Sequence, residues 1–256
     1  MPDIHVTAIP AFTDNYIWLI RATGNDCAVV DPGDASPVIE VLRRQGLDLR
    51  YILLTHHHPD HVGGAQSLRT RFHAEVFGPQ DTRIQGVDHV LREGDTARLP
   101  LLGLDFDVIE VPGHTATHIA YHGHGLLFCG DTLFSVGCGR LFEGSAEQMQ
   151  QSLDKLAALP AQTQVYCGHE YTLSNCRFAL AVEPENEALQ SRAQQVEDAR
   201  KAGRMTLPSR LGEELLVNPF LRTRHRSVIQ SARKRNPAAT AGAATLAVIR
   251  DWKDHA

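Results

Sequence analysis

The first two-thirds of the chain alternates short apolar runs with turn residues, a pattern typical of β-strands. Strand-length runs occur at HVTAIP, NYIWLI, CAVVDPG, YILLTH, AEVFG, DFDVIEVPGH, HIAYHGHG, GLLFCGDTLF and QVYCGHE. Two segments have helical spacing and cap residues: ASPVIEVLRRQG, which ends at Gly46, and SAEQMQQSLDKLAALP, with Ser145 as N-cap. A third helix is expected from about His61 to Arg71. These patterns predict strands with a few helices between them.

The pattern becomes helical after Glu170. The helical segments are LSNCRFALAVEP, NEALQSRAQQVEDARKAG, PSRLGEELL and TAGAATLAVIRDWK. The charge changes at the same place: residues 1–170 carry 11 Lys and Arg against 21 Asp and Glu, and residues 171–256 carry 14 against 9. We therefore predict two domains, 1–170 and 171–256, and the basic second domain suits an anionic ligand.

Composition narrows the class of protein. The 256 residues are 43% hydrophobic, as in globular proteins, and no run of 18 apolar residues predicts a membrane span. The N-terminal sequence lacks the regions of a signal peptide, so we expect a cytoplasmic protein, or one whose presequence has been removed. Five cysteines without a C-x-x-C pair argue against a disulfide framework. We expect a monomer that binds neither membranes nor, without a basic aromatic stripe, nucleic acid.

The stretch THHHPDH carries most of the candidate chemistry. It follows an apolar strand, so its first histidines lie at the strand's C-terminal end. Residues i and i+2 of an extended backbone face the same side, which pairs His56 with His58 and turns His57 away. A proline interrupts the run, and Asp60 and His61 lie where the next helix begins. Three imidazoles and one carboxylate thus converge, and both groups are common metal ligands.

Three further candidate ligands lie beside strand-like runs: His114, Asp131 and His169. Each directly follows a glycine, at which the backbone can turn sharply. Seven ligands exceed one tetrahedral zinc site, and they suit two metals about 3.5–4 Å apart. Asp131 is the natural bridge between the two metals because a carboxylate has two oxygens.

The ligand order resembles that of the metallo-β-lactamase superfamily, and longer stretches resemble glyoxalase II, the hydroxyacylglutathione hydrolase family within it. These stretches are FTDNYIWLI, VVDPGDA, THHHPDHVGG, PGHT, GDTLFSVGCGRLFEG, CGHEYTLSN, NPFLR and IRDWK. The resemblance implies an α/β fold, an αββα sandwich followed by a C-terminal all-helical domain. The metal ligands that it implies are His56, His58 and His114 for one metal, Asp60, His61 and His169 for a second, and Asp131 as the bridge.

The resemblance also implies an activity. The substrate would be the thioester S-D-lactoylglutathione, hydrolysed to D-lactate and glutathione in the second step of methylglyoxal detoxification. Asp60 and Asp131 would be catalytic together with a hydroxide that bridges two divalent metals. Zinc is the metal expected, with iron or manganese as alternatives. This chain departs from the family at two positions. Phe142 stands where relatives often carry a tyrosine, and Thr117 stands where many relatives have a glycine. The glutathione contacts that the resemblance implies are Arg140, Tyr171, Arg250 and Lys253.

Residues near these motifs have structural interpretations as well. Asp31 in VVDPG either orients a ligand histidine through the other ring nitrogen or forms an Asp-Pro-Gly turn. His122 and His124 are expected in a hairpin, and His118 and Cys129 in packing.

Three other functions stay open on the sequence. The first is a different hydrolase of the superfamily, such as a lactonase, β-lactamase or nuclease. The second is a persulfide dioxygenase, which resembles this fold but uses one iron on two histidines and one aspartate. The third is a non-catalytic metal-binding module, against which a bridged ligand set argues because it leaves room for a reactive water.

Overall fold

The structure is a computed structural model in which residues 4–256 are described. Backbone contacts divide the chain into two compact units. The first unit comprises the chain up to residue 110 together with 117–130, and the second comprises 111–116 and 131–256. Among the described residues, no helix has the length and apolar character needed to cross a membrane.

The first unit contains two sheets and three helices. Its first sheet has six strands in sequential order, antiparallel from β1 to β3 and parallel from β3 to β6. Its second group is an antiparallel meander of β7 to β10. The strands are β1 (His5–Ala11), β2 (Asn15–Arg21), β3 (Asp26–Val30), β4 (Asp48–Leu53), β5 (Glu75–Pro79), β6 (His89–Leu91), β7 (Thr96–Leu99), β8 (Leu104–Glu110), β9 (Ile119–Gly123) and β10 (Leu126–Gly130). The helices are α1 (Ala35–Gln45), α2 (Pro59–Val62) and α3 (Ala65–Phe72).

The first helix forms as its sequence predicts. The Asp34 side chain accepts a hydrogen bond from the Ser36 N–H at 2.8 Å, and Gly46 ends the helix in the left-handed conformation. The apolar face of α1 buries Val38 and Leu42 in a core shared with β1 to β5 and α3. This core fixes the edge of the sheet from which the candidate ligands extend.

The single helix expected from about His61 to Arg71 is instead two helices, with the break between α2 and α3. A Cβ on Gly64 would lie 2.5 Å from the Ala35 nitrogen and 2.6 Å from the Pro32 carbonyl oxygen. The backbone following β3 therefore approaches the chain too closely here for any larger residue. The Gly64 N–H donates to the Pro32 carbonyl at 2.8 Å instead of to a residue of α2, so the helical hydrogen bonds are interrupted between α2 and α3.

The second unit is mainly helical. Its strands are β11 (Leu133–Phe134), β12 (Gly137–Cys138), β13 (Gln164–Cys167) and β14 (Ser209–Arg210). Its helices are α4 (Ala146–Ala157), α5 (Thr172–Val182), α6 (Glu187–Lys201), α7 (Leu211–Val217), α8 (Arg226–Arg233) and α9 (Ala243–Asp254). The predicted N-cap Ser145 forms a capping box with Gln148 at the start of α4. The change in composition near residue 170 falls inside this unit, between β13 and α5.

Buried polar side chains hold the turn between β11 and β12. Val136 in this turn has a φ of 58°, an unfavourable value for a β-branched residue. Its N–H donates to the Glu214 carboxylate at 2.7 Å, and Asn175 donates to the Ser135 carbonyl at 2.9 Å. Asn218 donates to the carbonyls on either side of the turn, at 3.1 and 2.9 Å. The segment between two candidate site residues, at positions 131 and 140, is thereby fixed.

The cysteines agree with the prediction that there is no disulfide framework. All five lie among the described residues as reduced cysteines outside any disulfide, with buried side chains. Burial raises the pKa of Cys27, Cys167 and Cys176 to about 12. Cys129 packs inside β10, as expected.

Candidate metal centre

The ligands of the first unit lie just beyond β4. The backbone after β4 is extended, and His56 Nε2 lies 3.1 Å from His58 Nδ1, in agreement with the pairing expected from the sequence. Proline at the start of α2 then turns the chain into a helix. Asp60 and His61 therefore both lie in the first turn of α2, and Asp60 Oδ2 lies 3.6 Å from His61 Nε2.

His57 faces another part of the first unit. Its Nδ1 lies 3.6 Å from Asp81 Oδ2, and its ring centroid is 6.4 Å from that of His56. The Arg83 side chain holds the pKa of Asp81 well below its usual range, so this neighbour stays a carboxylate. The contact agrees with the prediction that His57 turns away from the adjacent ligand candidates.

Asp31 connects two candidate ligand histidines, His56 and His61. Its Oδ2 lies 2.9 Å from His61 Nδ1 and accepts a hydrogen bond from Thr55 Oγ1 at 2.7 Å, while its Oδ1 accepts the Thr55 N–H at 2.8 Å. His56 Nδ1 lies 3.0 Å from the same Thr55 Oγ1. Asp31 has a φ of 51° in a turn, and it contacts a histidine that is a candidate ligand.

These hydrogen bonds decide which ring nitrogens can bind a metal. The Asp31 carboxylate only accepts, so His61 Nδ1 must carry the proton. The Thr55 hydroxyl gives its proton to Asp31, so His56 Nδ1 must donate to Thr55. The Nε2 lone pairs of both histidines are left for a cation. Ligand atoms of Asp31, His56 and His61 also lie within 4.8 Å of one another. The Asp31 carboxylate, however, accepts from His61 Nδ1, and we interpret it as a support for the histidine.

The candidates of the second unit meet at one oxygen. Asp131 Oδ2 lies 3.5 Å from His114 Nε2 and 3.3 Å from His169 Nε2. All three side chains are buried. His114 Nδ1 lies 2.9 Å from the Arg140 carbonyl oxygen, which only accepts, so the proton is on Nδ1 and the Nε2 lone pair faces Asp131. A single carboxylate oxygen between two imidazoles is the geometry expected of a bridging ligand.

Gly139 allows this arrangement. A Cβ on this residue would lie 2.0 Å from the Asp131 carbonyl oxygen and 3.0 Å from His114 Nδ1. Any side chain here would displace the backbone that presents Asp131. Gly139, the second glycine of GCGR, therefore has a steric role at the site, which the amino-acid sequence alone did not reveal.

The donor set fits divalent cations. An imidazole lone pair and a carboxylate oxygen are both acceptors, and they repel when they face each other at 3.5–3.6 Å, as His114 faces Asp131 and His61 faces Asp60. A cation between them removes this repulsion. Two ligand atoms about 2.1 Å from a tetrahedral metal are about 3.4 Å apart, close to the distances in both units. Without sulfur ligands, the set suits zinc, iron or manganese.

Two aromatic residues lie beside the second-unit ligands. The Tyr171 ring stacks on His169, with centroids 4.7 Å apart and an angle of 7°. The Phe142 ring lies edge-on to the His114 ring, with centroids 5.3 Å apart, and Phe142 is 62% exposed. Both rings lie against imidazoles of candidate ligands, and exposed Phe142 offers an apolar surface beside them. Thr117, the other departure from the family, donates to Asp81 Oδ2 at 2.6 Å.

The predicted basic residues of α9 are engaged within the second unit. Arg250 is buried and donates to the Cys138 carbonyl at 2.8 Å and to Asp254 at 3.0 Å. Lys253 donates to the Asn175 side-chain oxygen. Burial, with a further contribution from neighbouring Arg250, lowers the pKa of Lys253 to about 8. Arg140 lies at the surface, with Nε 3.2 Å from Asp254 Oδ1.

Sequence reasoning missed a group of supporting residues. Asn15 is buried at the start of β2, and its side-chain amide donates to Asp60 Oδ2 at 2.9 Å. His118 packs as predicted, but it stacks on the His56 ring, with centroids 4.5 Å apart. Thr55 connects Asp31 to the candidate ligand His56. These contacts join residues 45 or more positions apart in two of the three cases, so no local pattern signals them.

The remaining histidine predictions agree with the structure. His122 is the penultimate residue of β9, and His124 lies in the turn to β10 with a φ of 55°. This is the hairpin that the two glycines of HGHG suggested. Burial lowers the pKa of His122, as expected of a packed imidazole.

Comparisons with known proteins place this fold and site in a family. Residues 11–169 match the model of the metallo-beta-lactamase superfamily, and the chain belongs to that superfamily. Residues 170–256 match the model described as hydroxyacylglutathione hydrolase C-terminus. Together with the full-length relatives below, this match shows that the chain belongs to the hydroxyacylglutathione hydrolase family. The fold class and family expected from the sequence are thereby confirmed.

The relatives match over nearly their whole length. A hydroxyacylglutathione hydrolase of Pseudomonas fluorescens (strain SBW25) is 52% identical, with 98% of this chain and 99% of that protein covered. One of Aeromonas salmonicida (strain A449) is 55% identical, with 97% and 98% covered. A crystal structure of TTHA1623 in a di-iron-bound form matches with a TM-score of 0.54 and 28% identity, covering 64% of this chain and 91% of that one.

Proposed function

We propose that this protein hydrolyses the thioester S-D-lactoylglutathione to D-lactate and glutathione. The observation that carries the proposal is that both parts of the chain, including the C-terminal helices, match one family of thioester hydrolases. General hydrolases of the superfamily would share the metal ligands but have no need of the basic helical region. The proposal therefore rests on the whole chain and not on the ligand motif alone.

The proposed cofactor is a pair of divalent metal ions, most simply zinc. His56, His58 and His114 would hold the first ion and Asp60, His61 and His169 the second, with Asp131 shared. Two ions bound there would lower the pKa of a water towards neutrality and polarise a carbonyl oxygen. The shared position of Asp131 Oδ2 between two imidazoles supports this assignment, as does the di-iron form of the related TTHA1623.

The chain's own residues would orient these ligands. Asp31 fixes His61 directly and His56 through Thr55, and Asn15 holds the Asp60 carboxylate. Supports of this kind keep each ligand atom aimed at its ion and raise the basicity of the imidazoles. Because the leaving group is a thiolate, with a thiol pKa far below that of an alcohol or amine, the reaction needs no obligatory protein acid.

Residues 171–256 would form the glutathione-binding domain. Glutathione carries two carboxylates, and the site residues Arg140, Arg250 and Lys253 supply three cations to the second unit. Tyr171 lies directly on His169, where it can contact the substrate next to the reacting group. Exposed Phe142 would contact the substrate through its ring face, without the hydrogen bond that a tyrosine would make.

A steady-state assay with S-D-lactoylglutathione tests the proposal. Protein loaded with zinc, iron or manganese should release glutathione and D-lactate, and metal analysis should find two ions per chain. Lactones, β-lactams and nucleic acids serve as alternative substrates, and an oxygen electrode with glutathione persulfide tests for a dioxygenase. Absence of thioester hydrolysis by every metal form, or oxygen uptake with one iron per chain, would refute the proposal.

We expect Asp31→Ala to weaken metal binding by about 10- to 100-fold, as loss of such supports generally does. The substitution removes the acceptor of His61 Nδ1 and of Thr55, so both imidazoles lose their fixed orientation. Competition with a chelator measures the affinity. Asp107→Ala, at an exposed position on β8, is the control. Unchanged affinity in Asp31→Ala would leave that residue with a turn-forming role only.

The pH dependence of substrate binding should show the titration of Lys253. With a pKa lowered to about 8, Lys253 is charged below pH 7 and loses its charge as the pH rises through 8. Affinity for an anionic thioester should therefore be constant below pH 7, and KM should rise several-fold, by about tenfold at most, above pH 8. The side chain of Lys253→Arg stays protonated and should remove this rise. Identical KM profiles for both proteins would contradict the prediction.

A further inference from the structure

A group of charged residues surrounds the end of α9 in the second unit. Arg140, Arg250 and Lys253 are three cations, and Asp254, the last residue of α9, is the carboxylate that contacts two of them. The proposed function uses the cations to bind substrate and gives no role to Asp254. A carboxylate placed among residues that bind an anion reduces the attraction for that anion, so its presence requires an explanation.

One oxygen of Asp254 contacts both guanidinium groups. Oδ1 accepts a hydrogen bond from Arg250 Nη2 at 3.0 Å and lies 3.2 Å from Arg140 Nε. Arg250 is buried and also donates through Nη1 to the Cys138 carbonyl, two residues before Arg140. Asp254 and Arg250 together therefore hold the Arg140 segment at both its backbone and its side chain.

The contact orients Arg140 for a ligand. The Arg140 side chain is 61% exposed, and a long exposed arginine samples many rotamers. Its contact with Asp254 uses Nε, which leaves the two terminal nitrogens as the fork that binds a carboxylate through two hydrogen bonds. Restricting the side chain before the ligand arrives reduces the entropy lost on binding.

We infer that Asp254 is a positioning residue for substrate binding, which holds the Arg140 guanidinium in the orientation that receives a carboxylate of the glutathione moiety. This inference rests on the proposed function, because it takes the ligand to be a glutathione thioester. Positioning outweighs repulsion because Arg140, Arg250 and Lys253 leave an excess of two positive charges around the carboxylate. Asp254 thus acts on KM, through Arg140, and not on the chemical step.

The test is steady-state kinetics of Asp254→Asn in the metal-loaded full chain. KM for S-D-lactoylglutathione should rise about five- to tenfold while kcat stays within about twofold. The matched control is Asp251→Asn, which removes the same charge from the same helix at an exposed position near His255; its KM should be unchanged. A truncated thioester, S-lactoyl-N-acetylcysteamine, lacks the carboxylates and should be hydrolysed equally well by all three proteins.

A double-mutant cycle identifies the partner. Arg140→Gln should raise KM by itself, and adding Asp254→Asn to it should have little further effect, because the two residues act as one unit. Asp254→Glu, which keeps the charge on a longer side chain, should give an intermediate KM. It replaces Asp254→Asn as the test variant if the asparagine variant unfolds at a lower temperature than the wild type. Wild-type protein that fails to hydrolyse the thioester refutes the proposed function instead.

Three results would overturn the inference while leaving the proposed function intact. The first is an unchanged KM in Asp254→Asn, which would show that the carboxylate has no positioning role, or a lower KM, which would show that it competes with the substrate. The second is the same loss of activity with the truncated thioester, which would indicate a general structural defect. The third is full additivity of the Arg140→Gln and Asp254→Asn effects.

Discussion

Asp131→Ala is expected to lower kcat/KM by about 10³-fold or more, the largest effect of any single substitution in this protein. The Asp131 oxygen lies between two imidazoles assigned to different metals. Its removal would leave each ion one ligand short and would remove the negative charge that keeps two cations close together. Metal analysis should find fewer than two ions per chain at equilibrium.

The control for this substitution is Asp131→Asn, which keeps the volume and one oxygen but removes the charge. It should bind metal better than the alanine variant and still be strongly impaired, because the charge is its main contribution. Thermal unfolding in chelator separates metal loss from misfolding, since both variants should unfold as the metal-free wild type does. Two tightly bound ions in Asp131→Ala would contradict the bridging assignment.

His58→Ala should lose about 10²- to 10³-fold in kcat/KM, whereas His57→Ala should lose less than about tenfold. The two histidines are adjacent in sequence, but His58 Nδ1 lies 3.1 Å from His56 Nε2 and His57 faces Asp81. His58→Ala should also release metal to a weaker chelator. Comparable losses in the two variants would show that the alternation along the extended backbone does not decide their roles.

The part of the site that the sequence predicted depends on local geometry. The pairing of His56 with His58 follows from the two-residue repeat of extended backbone. The proline that starts α2 places both Asp60 and His61 in its first turn. The helix caps at Ser145 and Gly46 likewise depend on neighbours within a few residues. The fold class and family followed from longer stretches of sequence.

Contacts between distant residues escaped prediction. Asn15 and Asp60 are 45 positions apart, and the sequence offered a histidine contact for Asp31 only as one of two alternatives, without identifying its partner His61, 30 positions away. A single sequence contains no signal of such pairs, because each residue alone has an ordinary turn or strand context. The break at Gly64 depends in the same way on the approach of the chain near Pro32.

Short elements were also missed. Strands β6, β7, β12 and β14 have two to four residues each, too few for an alternating pattern to be recognised. Helix α8 has eight residues, of which Val228 and Ala232 are the buried apolar ones, and five are polar or charged. These elements form because contacts with other elements of their unit stabilise them, and their own sequence contributes little to their formation.

Burial of all five cysteines suits a protein whose proposed product is a thiol. Mixed disulfides with glutathione form through a thiolate, and at pH 7 a thiol with a pKa of about 12 is ionised in only about one molecule in 10⁵. Burial of the side chains also keeps oxidised glutathione away from the sulfur atoms. The protein should therefore resist S-glutathionylation during turnover, at glutathione concentrations that would modify a protein with exposed cysteines.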